Sequence, residues 1–511
     1  MQSFELSKNS RRWLIGSLLF MLVARIVASA FIPLTDTTEA RYAEIARKML
    51  ETGDWITPQH DYGVPFWAKP PLSTWLSAAS MKLLGVNEFA ARLPSLLFGL
   101  GMLALIWMWV APRRGRDFAL ATVAMLGSMV LFFVAGGAVM TDSSLAFCTT
   151  LTMISFWQAL HTSQRRWGYL FFGGLGLGLL AKGPLVGVLA LLAILPWIAL
   201  RGNWREAWRA IPWIRGGALM LLIGLPWYLL AEHKTPGFIA YFILGEHFGR
   251  FLDAGWSGDK YGHAHSELLG MIWVYWLAST APWSLIVLFR AVRSRYDWRH
   301  WLRAEDGLIA YLALWSFAAI VFFSFAHNVI WPYALPTLPA FAILTMEFLT
   351  RAPQSSTETG SAFNIARLLP VASVAAPVAL LAMTLVYADD QQALLKSSQR
   401  DTAQFYLQTR PAPDSGLYYF RRRYYSGEFY SSGKARVASL DDIDHLLHNG
   451  STDYLVIQRD ELKNIPADEM AQFRISTQLG RFVVLEERKP ASSPRVGLRE
   501  TPLPSPPQPK I

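Results

Sequence analysis

Eleven apolar segments, separated by loops of two alternating kinds, constrain this chain more than any other feature of its sequence. Arg and Lys cluster in every second loop, whereas the loops between them hold carboxylates, isolated Lys and His residues, and aromatics. A helix that crosses a membrane needs about 20 mostly apolar residues. Segments of that kind fall at 13–32, 92–112, 118–138, 143–160, 167–182, 184–200, 212–231, 268–290, 307–326, 331–350 and 366–387. With 53% apolar residues and a mean hydropathy of +0.26, the chain is too apolar for an ordinary soluble globule. The pattern predicts a mainly α polytopic membrane protein with about 11 transmembrane helices.

The net charge of +10 does not mark a nucleic-acid binder, because the charge is sided. Arg11 and Arg12 precede the first segment; Arg113, Arg114 and Arg116 follow the second, and Arg165 and Arg166 the fourth. Arg201, Arg205, Arg209 and Arg215 follow the sixth, and Arg290, Arg293, Arg295, Arg299 and Arg303 the eighth. The positive-inside rule makes these loops cytoplasmic, and an odd number of spans then puts the C-terminus outside. No basic stripe with interleaved aromatics is left for a nucleic acid. Arg11-Arg12, an apolar run and Ala28-Ser29-Ala30 imitate a secretory signal, but the run is long for a cleaved one and reads as a retained first span. The single Cys148 lies within a span, so no disulfide framework exists.

Two external loops, 33–91 and 232–266, are long enough to hold a site within a membrane domain of residues 1–390. In the first, residues 38–52 place Tyr42, Ile45, Ala46, Met49 and Leu50 at helical spacing with charges opposite, as in a helix lying at the bilayer surface. Gly53 ends it, and a second apolar stretch at 71–85 is too short to span. The second loop is rich in Gly, His and aromatics and reads as a shaped loop with a short helix. Beyond it, LYYF, ARVA, DYLVIQ and RFVVLEE are short β-type runs between helix-compatible stretches, which predicts a small α/β domain over 391–490. The Pro/Ser-rich tail, 491–511, reads as disordered.

On this topology Asp36, Glu39, Lys69, Asp142, Lys182, Glu246, His247, Arg250 and Tyr333 gather near the external surface. Ionisable groups at span ends are costly unless they snorkel, pair or bind something. Each has a plainer reading. Asp142 in Thr-Asp-Ser-Ser suits a helix cap, Lys182 an interfacial anchor, and Tyr333 an aromatic belt. Lys69 stands out, because Pro70-Pro71 stiffens the backbone that carries it. Glu246, His247 and Arg250 could bind an anion, pair locally, or contribute to a metal site, which needs three or four ligands; His263 and His265 add possible ligands.

Taken in order, the motifs TDTTEARYAEIARKMLETGDWITPQ, VPFWAKPPLSTWL, GVNEFAARLPS, AVMTDSSLAF, GLGLGLLAKGPL, GEHFGRF and FFSFAHNVIWPYALPTLPAFA resemble one bacterial family. It is the undecaprenyl-phosphate-sugar transferases typified by the 4-amino-4-deoxy-L-arabinose lipid A transferase. That family sits with the protein O-mannosyltransferases among the GT-C glycosyltransferases. The resemblance covers about 12–350 by motif and the remainder by layout only. It implies an acidic motif at Thr38-Glu39-Ala40-Arg41-Tyr42, with Asp36 just before it, so that the first acidic role falls to Glu39, Asp36 or both. It also implies a second acid at Asp142, phosphate-binding lysines at Lys69 and Lys182, a loop motif Glu246-His247-x-x-Arg250, and a donor-site Tyr333 beside Arg41 and Tyr42. The family's Lys-Leu-Pro is replaced here by Val329-Ile330-Trp331-Pro332, which departs from the aminoarabinose pattern.

The resemblance implies an inverting transferase that moves an amino sugar from undecaprenyl phosphate to an envelope acceptor, lipid A or lipopolysaccharide. The site and the C-terminal domain would face the periplasm from the bacterial inner membrane. Cations at Lys69, Lys182, Arg250 and His247 would neutralise the departing phosphate. Carboxylates at Asp142, Glu39 and Asp36 would orient or deprotonate the acceptor. Relatives that hold a metal place a Glu just before the first-loop Lys; Ala68 stands there, so no cofactor or tightly bound zinc is expected unless His263 or Asp61 substitutes. Other readings are a transferase for a protein or another surface glycan, a lipid-linked sugar flippase, or a lipid-binding receptor. A flippase predicts ionisable groups at mid-membrane and two related halves, and a receptor has no need of Asp142.

Overall fold

The computed structural model describes residues 4–253, 256–262, 267–293, 307–351, 365–389, 396–409 and 411–488. Arg295, Arg299, Arg303, His263, His265 and the tail 491–511 lie outside them. The chain divides into two compact units, Met1–Ser398 and Gln399–Ile511.

The first unit begins with α1 (Lys8–Phe31), α2 (Thr38–Thr52), a hairpin of β1 (Gln59–Asp61) and β2 (Val64–Pro65), α3 (Leu72–Leu84) and α4 (Glu88–Arg114). It continues through α5 (Arg116–Gly127), α6 (Val130–Ala135), α7 (Asp142–His161), α8 (Arg166–Lys182), α9 (Leu185–Arg201), α10 (Trp204–Ala210) and α11 (Trp213–Lys234). A π-helix, Ala240–Gly249, runs into α12 (Arg250–Leu252), followed by α13 (Met271–Ser279), α14 (Trp283–Arg293) and α15 (Leu308–Phe323). A 3-10 helix, Trp331–Thr337, then leads into α16 (Leu338–Arg351), and α17 (Ile365–Asp389) follows.

All eleven apolar segments are helical, but two are broken. Segment 118–138 splits into α5 and α6, and 268–290 into α13 and α14, which meet at a bend of 105°. The breaks face each other. Val130 N–H donates to the Ala281 carbonyl at 3.2 Å, and Trp283 Nε1 to Ser128 Oγ at 3.0 Å. Backbone groups freed in an apolar interior must find partners there, and here each break serves the other. Five described helices are long and apolar enough to cross a membrane, with α13–α14 a sixth if it forms one span, and α9 and α15 are shorter apolar helices. This is a multi-pass membrane protein.

Glycine lets α8 sit close to its neighbours. A Cβ on Gly174 would meet Thr152 Oγ1 of α7 at 2.4 Å, and one on Gly176 would meet Ile223 of α11 at 3.0 Å. Small residues let backbones approach where water supplies no driving force between helices. The close approach brings the end of α8 to the start of α7.

Helix α2 has the expected bounds, and Gly53 ends it at φ 71°. Its charged face is not open to water, however. Glu44, Arg47 and Lys48 are buried under the hairpin, where Arg47 bonds Glu44 at 2.7 and 2.8 Å and Tyr62 at 2.8 Å. Sequence alone shows the charges but not the cover that folds back over them.

The second unit holds α18 (Arg400–Gln408), β3 (Leu417–Phe420), α19 (Tyr425–Tyr430), β4 (Ala435–Ala438), α20 (Asp441–His448) and β5 (Tyr454–Gln458). It ends with α21 (Ala467–Met470), β6 (Phe473–Leu479) and β7 (Phe482–Glu487). The sheet order is β4-β3-β5-β7-β6, with β4, β3 and β5 parallel and β5, β7 and β6 antiparallel. Four strands coincide with the β-type runs of the sequence. The fifth, β6, is an edge strand with mostly exposed or half-buried residues, so it carries no apolar run to betray it.

Candidate active site

Lys182 is the last residue of α8, and Asp142 the first of α7. Their side chains meet at 2.5 Å with only 9% and 8% exposure. The Tyr333 ring, on the 3-10 helix, lies 4.3 Å from the Lys182 ammonium, a cation–π distance. Gly183, at φ 74°, turns the chain out of α8; a Cβ there would strike Phe242 at 2.7 Å. The π-helix can therefore seat directly on this turn. His247 packs against the same turn: its Nδ1 lies 2.7 Å from the Phe242 carbonyl, and a Cβ on Gly183 would come within 3.2 Å of its Nε2. Burial, with a smaller contribution from the nearby Lys69 charge, holds the imidazole below its ordinary value of 6.5, against the pull of the Phe242 carbonyl.

Lys69 reaches the same place from the first loop. Its ammonium donates to Glu246 Oε2 at 2.8 Å and to the Ala68 carbonyl at 2.7 Å. Arg250 lies 3.3 Å from the same Glu246 oxygen and 3.5 Å from Asp259. Burial opposes the Lys69 charge, but Glu246, with Tyr42 and Tyr333, outweighs it and raises the ammonium above its ordinary range. Burial likewise opposes the Glu246 carboxylate, and Lys69 and Arg250 together bring it below its ordinary value.

These groups line one cavity. Lys69, Lys182, Glu246, His247, Arg250, Asn328 and Tyr333 form its polar side, and Leu185, Phe242, Phe251, Phe322 and Phe323 its apolar side. About 620 Å³ of space lies within, part of it open to the outside. Arg250 Nε is buried there without a hydrogen-bond partner. A pocket lined by more cations than carboxylates and by phenyl rings suits an anionic head carried on an apolar chain.

Several expected residues lie outside that lining. Both oxygens of Glu39 are taken: Arg92 binds them at 2.8 and 2.9 Å, Thr35 N–H and Oγ1 at 3.1 Å, and Val139 N–H at 3.2 Å. Burial would raise this carboxyl, but Arg92 and the two N–H groups hold it below its ordinary value. Glu39 ties α2 to α4 and to the chain entering α7. Half-buried Asp36 is held through its N–H, which donates to Ser397 at 2.6 Å. Arg41 donates to the Tyr261 carbonyl at 2.6 Å and lies over the Tyr42 and Phe66 rings, joining the first loop to the second. Asp61 pairs with Lys48 at 3.8 Å in the hairpin. Among the described residues, no three His, Cys, Asp or Glu side chains cluster as metal ligands. The sequence reading passed over Asp259, Asn328 and the phenyl wall. In the FFSF run, residues 322–325, the first two rings reach the cavity, but the run reads as span in a linear scan.

The architecture matches a solved membrane enzyme over nearly its whole length. The crystal structure of ArnT from Cupriavidus metallidurans bound to undecaprenyl phosphate superposes with a TM-score of 0.74 at 21% identity, covering 94% of this chain and 99% of that one. The fold is that of ArnT. The same ArnT in its apo state gives a TM-score of 0.76 at 19% identity, again over 94% and 99%. In sequence, residues 15–242 match the family model for dolichyl-phosphate-mannose-protein mannosyltransferase. The undecaprenyl phosphate-alpha-4-amino-4-deoxy-L-arabinose arabinosyl transferase 2 of Sodalis glossinidius is 30% identical over 380 residues, which are 71% of this chain and 65% of that relative. The corresponding transferase of Enterobacter sp. is 30% identical over 325 residues, 61% and 55% of the two chains. The aligned part thus spans less than two thirds of either relative. The chain is ArnT-like in fold and in motif, as the motifs of its external loops implied.

Proposed function

We propose that this chain is an inverting glycosyltransferase that moves a sugar from undecaprenyl phosphate to an envelope acceptor, most readily lipid A or lipopolysaccharide. The observation that carries the reading is the cavity, whose lining Lys69, Lys182 and Arg250 share with phenyl rings. The relatives named for aminoarabinose transfer and the ArnT fold support it. The donor's phosphate is the leaving group. An acceptor oxygen bonds to the anomeric carbon while that carbon's bond to the phosphate oxygen breaks, and the electron pair stays on the phosphate. Lys69, Lys182 and Arg250 stabilise that charge as it develops. Asp142 positions Lys182 and takes the proton of a hydroxyl acceptor; an ionised phosphate acceptor has none to give. Glu39 and Asp36 support the first loop, Arg41 joins it to the second, and Tyr42 and Tyr333 border the cations.

His247 steadies the π-helix, its Nδ1 engaged by the Phe242 carbonyl and its Nε2 set against the Gly183 turn. That commitment, the engagement of Glu246 by Lys69 and Arg250, and Ala68 in the preceding position support a reaction without tightly bound metal. For topology we propose eleven spans, with α5–α6 and α13–α14 each crossing as a broken span. The N-terminus would lie in the cytoplasm, and the site and second unit in the periplasm of the bacterial inner membrane.

The test is mass spectrometry of envelope lipids from cells with and without the protein, and from cells carrying Asp142→Asn. A sugar-bearing envelope component should disappear in the first comparison and in the variant, while purified variant still binds undecaprenyl phosphate. Unchanged envelope lipids on deletion would sink the reading.

A further inference from the structure

The short link from α15 to the 3-10 helix is held at both ends. Glu267 N–H donates to the His327 carbonyl at 2.9 Å, and His327 Nδ1 lies 3.2 Å from the Glu267 carbonyl. Gly270 N–H reaches Ser324 at 3.2 Å, and Tyr333 N–H closes onto Ile330 at 3.1 Å. Asn328 sits in this link, only 6% exposed, and lines the cavity that holds Lys69, Lys182 and Arg250. Its Nδ2 is buried with no hydrogen-bond partner.

An amide nitrogen buried without a partner is costly, and an apolar side chain of the same size would be cheaper. The next residue, Val329, is apolar and 1% exposed, so packing here does not call for a polar group. Such an orphan in a native structure asks for an explanation, and a missing ligand is one. Arg250 Nε, the other buried donor without a partner on this cavity's lining, is already among the candidate phosphate contacts.

We propose that Asn328 is a further donor-binding residue, its side-chain amide donating to an oxygen of the headgroup on the lipid-linked sugar. This rests on the transferase reading above. The three cations supply charge, which draws in any phosphate. A neutral amide is directional and responds to where one oxygen lies, which is how a buried polar group discriminates between similar ligands. The held link presents it at a fixed place, as precise recognition requires.

The test uses the full-length protein in detergent or nanodiscs, with Asn328→Leu and Asn328→Asp beside the natural residue. Three quantities are read: affinity for undecaprenyl phosphate, KM and kcat with the lipid-linked sugar, and thermal stability. Asn328→Leu should match or exceed the natural protein in stability while weakening the donor by about tenfold, the loss of one hydrogen bond. Asn328→Asp should weaken it further, since a carboxylate faces the phosphate without an amide to offer. Weaker binding of the bare carrier assigns the contact to the phosphate. A raised KM with unchanged carrier binding assigns it to the sugar. Unaltered affinity, KM and kcat in Asn328→Leu would overturn the assignment, and so would a marked loss of stability, which would make Asn328 a packing residue. If the natural protein itself binds no carrier, the transferase reading fails and this inference falls with it. If it binds and the variants match it, only this inference falls.

Discussion

Lys69 and Lys182 approach the cavity from different parts of the chain and are held in different ways. Lys69 leaves a loop stiffened by Pro70 and Pro71 and is steadied by Glu246, whereas Lys182 ends a helix and is paired with Asp142. Losing one charge-assisted contact to a phosphate costs about 1.5–3 kcal/mol, so Lys69→Ala and Lys182→Ala should each lower turnover by roughly ten- to a hundredfold. The two should differ in stability. Lys182→Ala leaves Asp142 buried and uncompensated, a change that typically costs about 3–5 kcal/mol, so its Tm should fall well below that of Lys69→Ala. Steady-state kinetics and thermal unfolding on the same preparations check both statements. Turnover near normal in both variants would return these lysines to membrane anchoring.

At the scale of elements, the approach of α8 to α7 decides whether Lys182 and Asp142 can meet. Gly174 and its neighbour Gly173 make a matched pair for testing this. A Cβ on Gly174 would come within 2.4 Å of Thr152 Oγ1, but one on Gly173 would have no heavy atom within 4 Å. Gly174→Ala should lower both stability, by about 1–3 kcal/mol, and turnover. Gly173→Ala should leave both near normal, and equal effects of the two would refute the packing argument. Such details mark where the sequence stops being legible. Helix positions follow from apolar length, so α1, α4, α7, α8, α9, α11, α15 and α17 fall within a few residues of the segments read from hydropathy. The breaks at Ser128 and Pro282 do not, because bonds between residues as far as 155 positions apart join them. Within the site, Asp142 and Lys182 are legible as charges at span ends, and Lys69 and Arg250 as charges in the external loops. Glu39 was legible as a charge but not as the partner of Arg92, since the two lie 53 positions apart in the chain. Asn328 lies within the last of the quoted motifs but carries no charge, and only its burial and lack of a partner single it out.

For the whole molecule, the proposed orientation has a simple chemical consequence. Cys148, the chain's one cysteine, is buried, so a cysteine introduced at Ser451 in the second unit can be read by a membrane-impermeant thiol reagent. Ser451→Cys should label from outside intact spheroplasts, and the natural protein should not. Labelling only after lysis would reverse the sidedness and with it the periplasmic placement of the cavity.

Glu246 gives the cavity one more property. In the proposed reaction the donor is a phosphodiester with a single negative charge, and the spent carrier is a monoester, whose charge near neutral pH is about −1.5 to −2. A pocket of bare cations would grip the product harder than the substrate and stall after one turn. Glu246 pairs with Lys69 at 2.8 Å and with Arg250 at 3.3 Å. It is a resident rival for the same two partners, ready to reclaim them as the carrier withdraws. In the proposed reaction, departure of the spent lipid would be an exchange of one counter-ion for another, with the carboxylate among the cations easing the carrier's release.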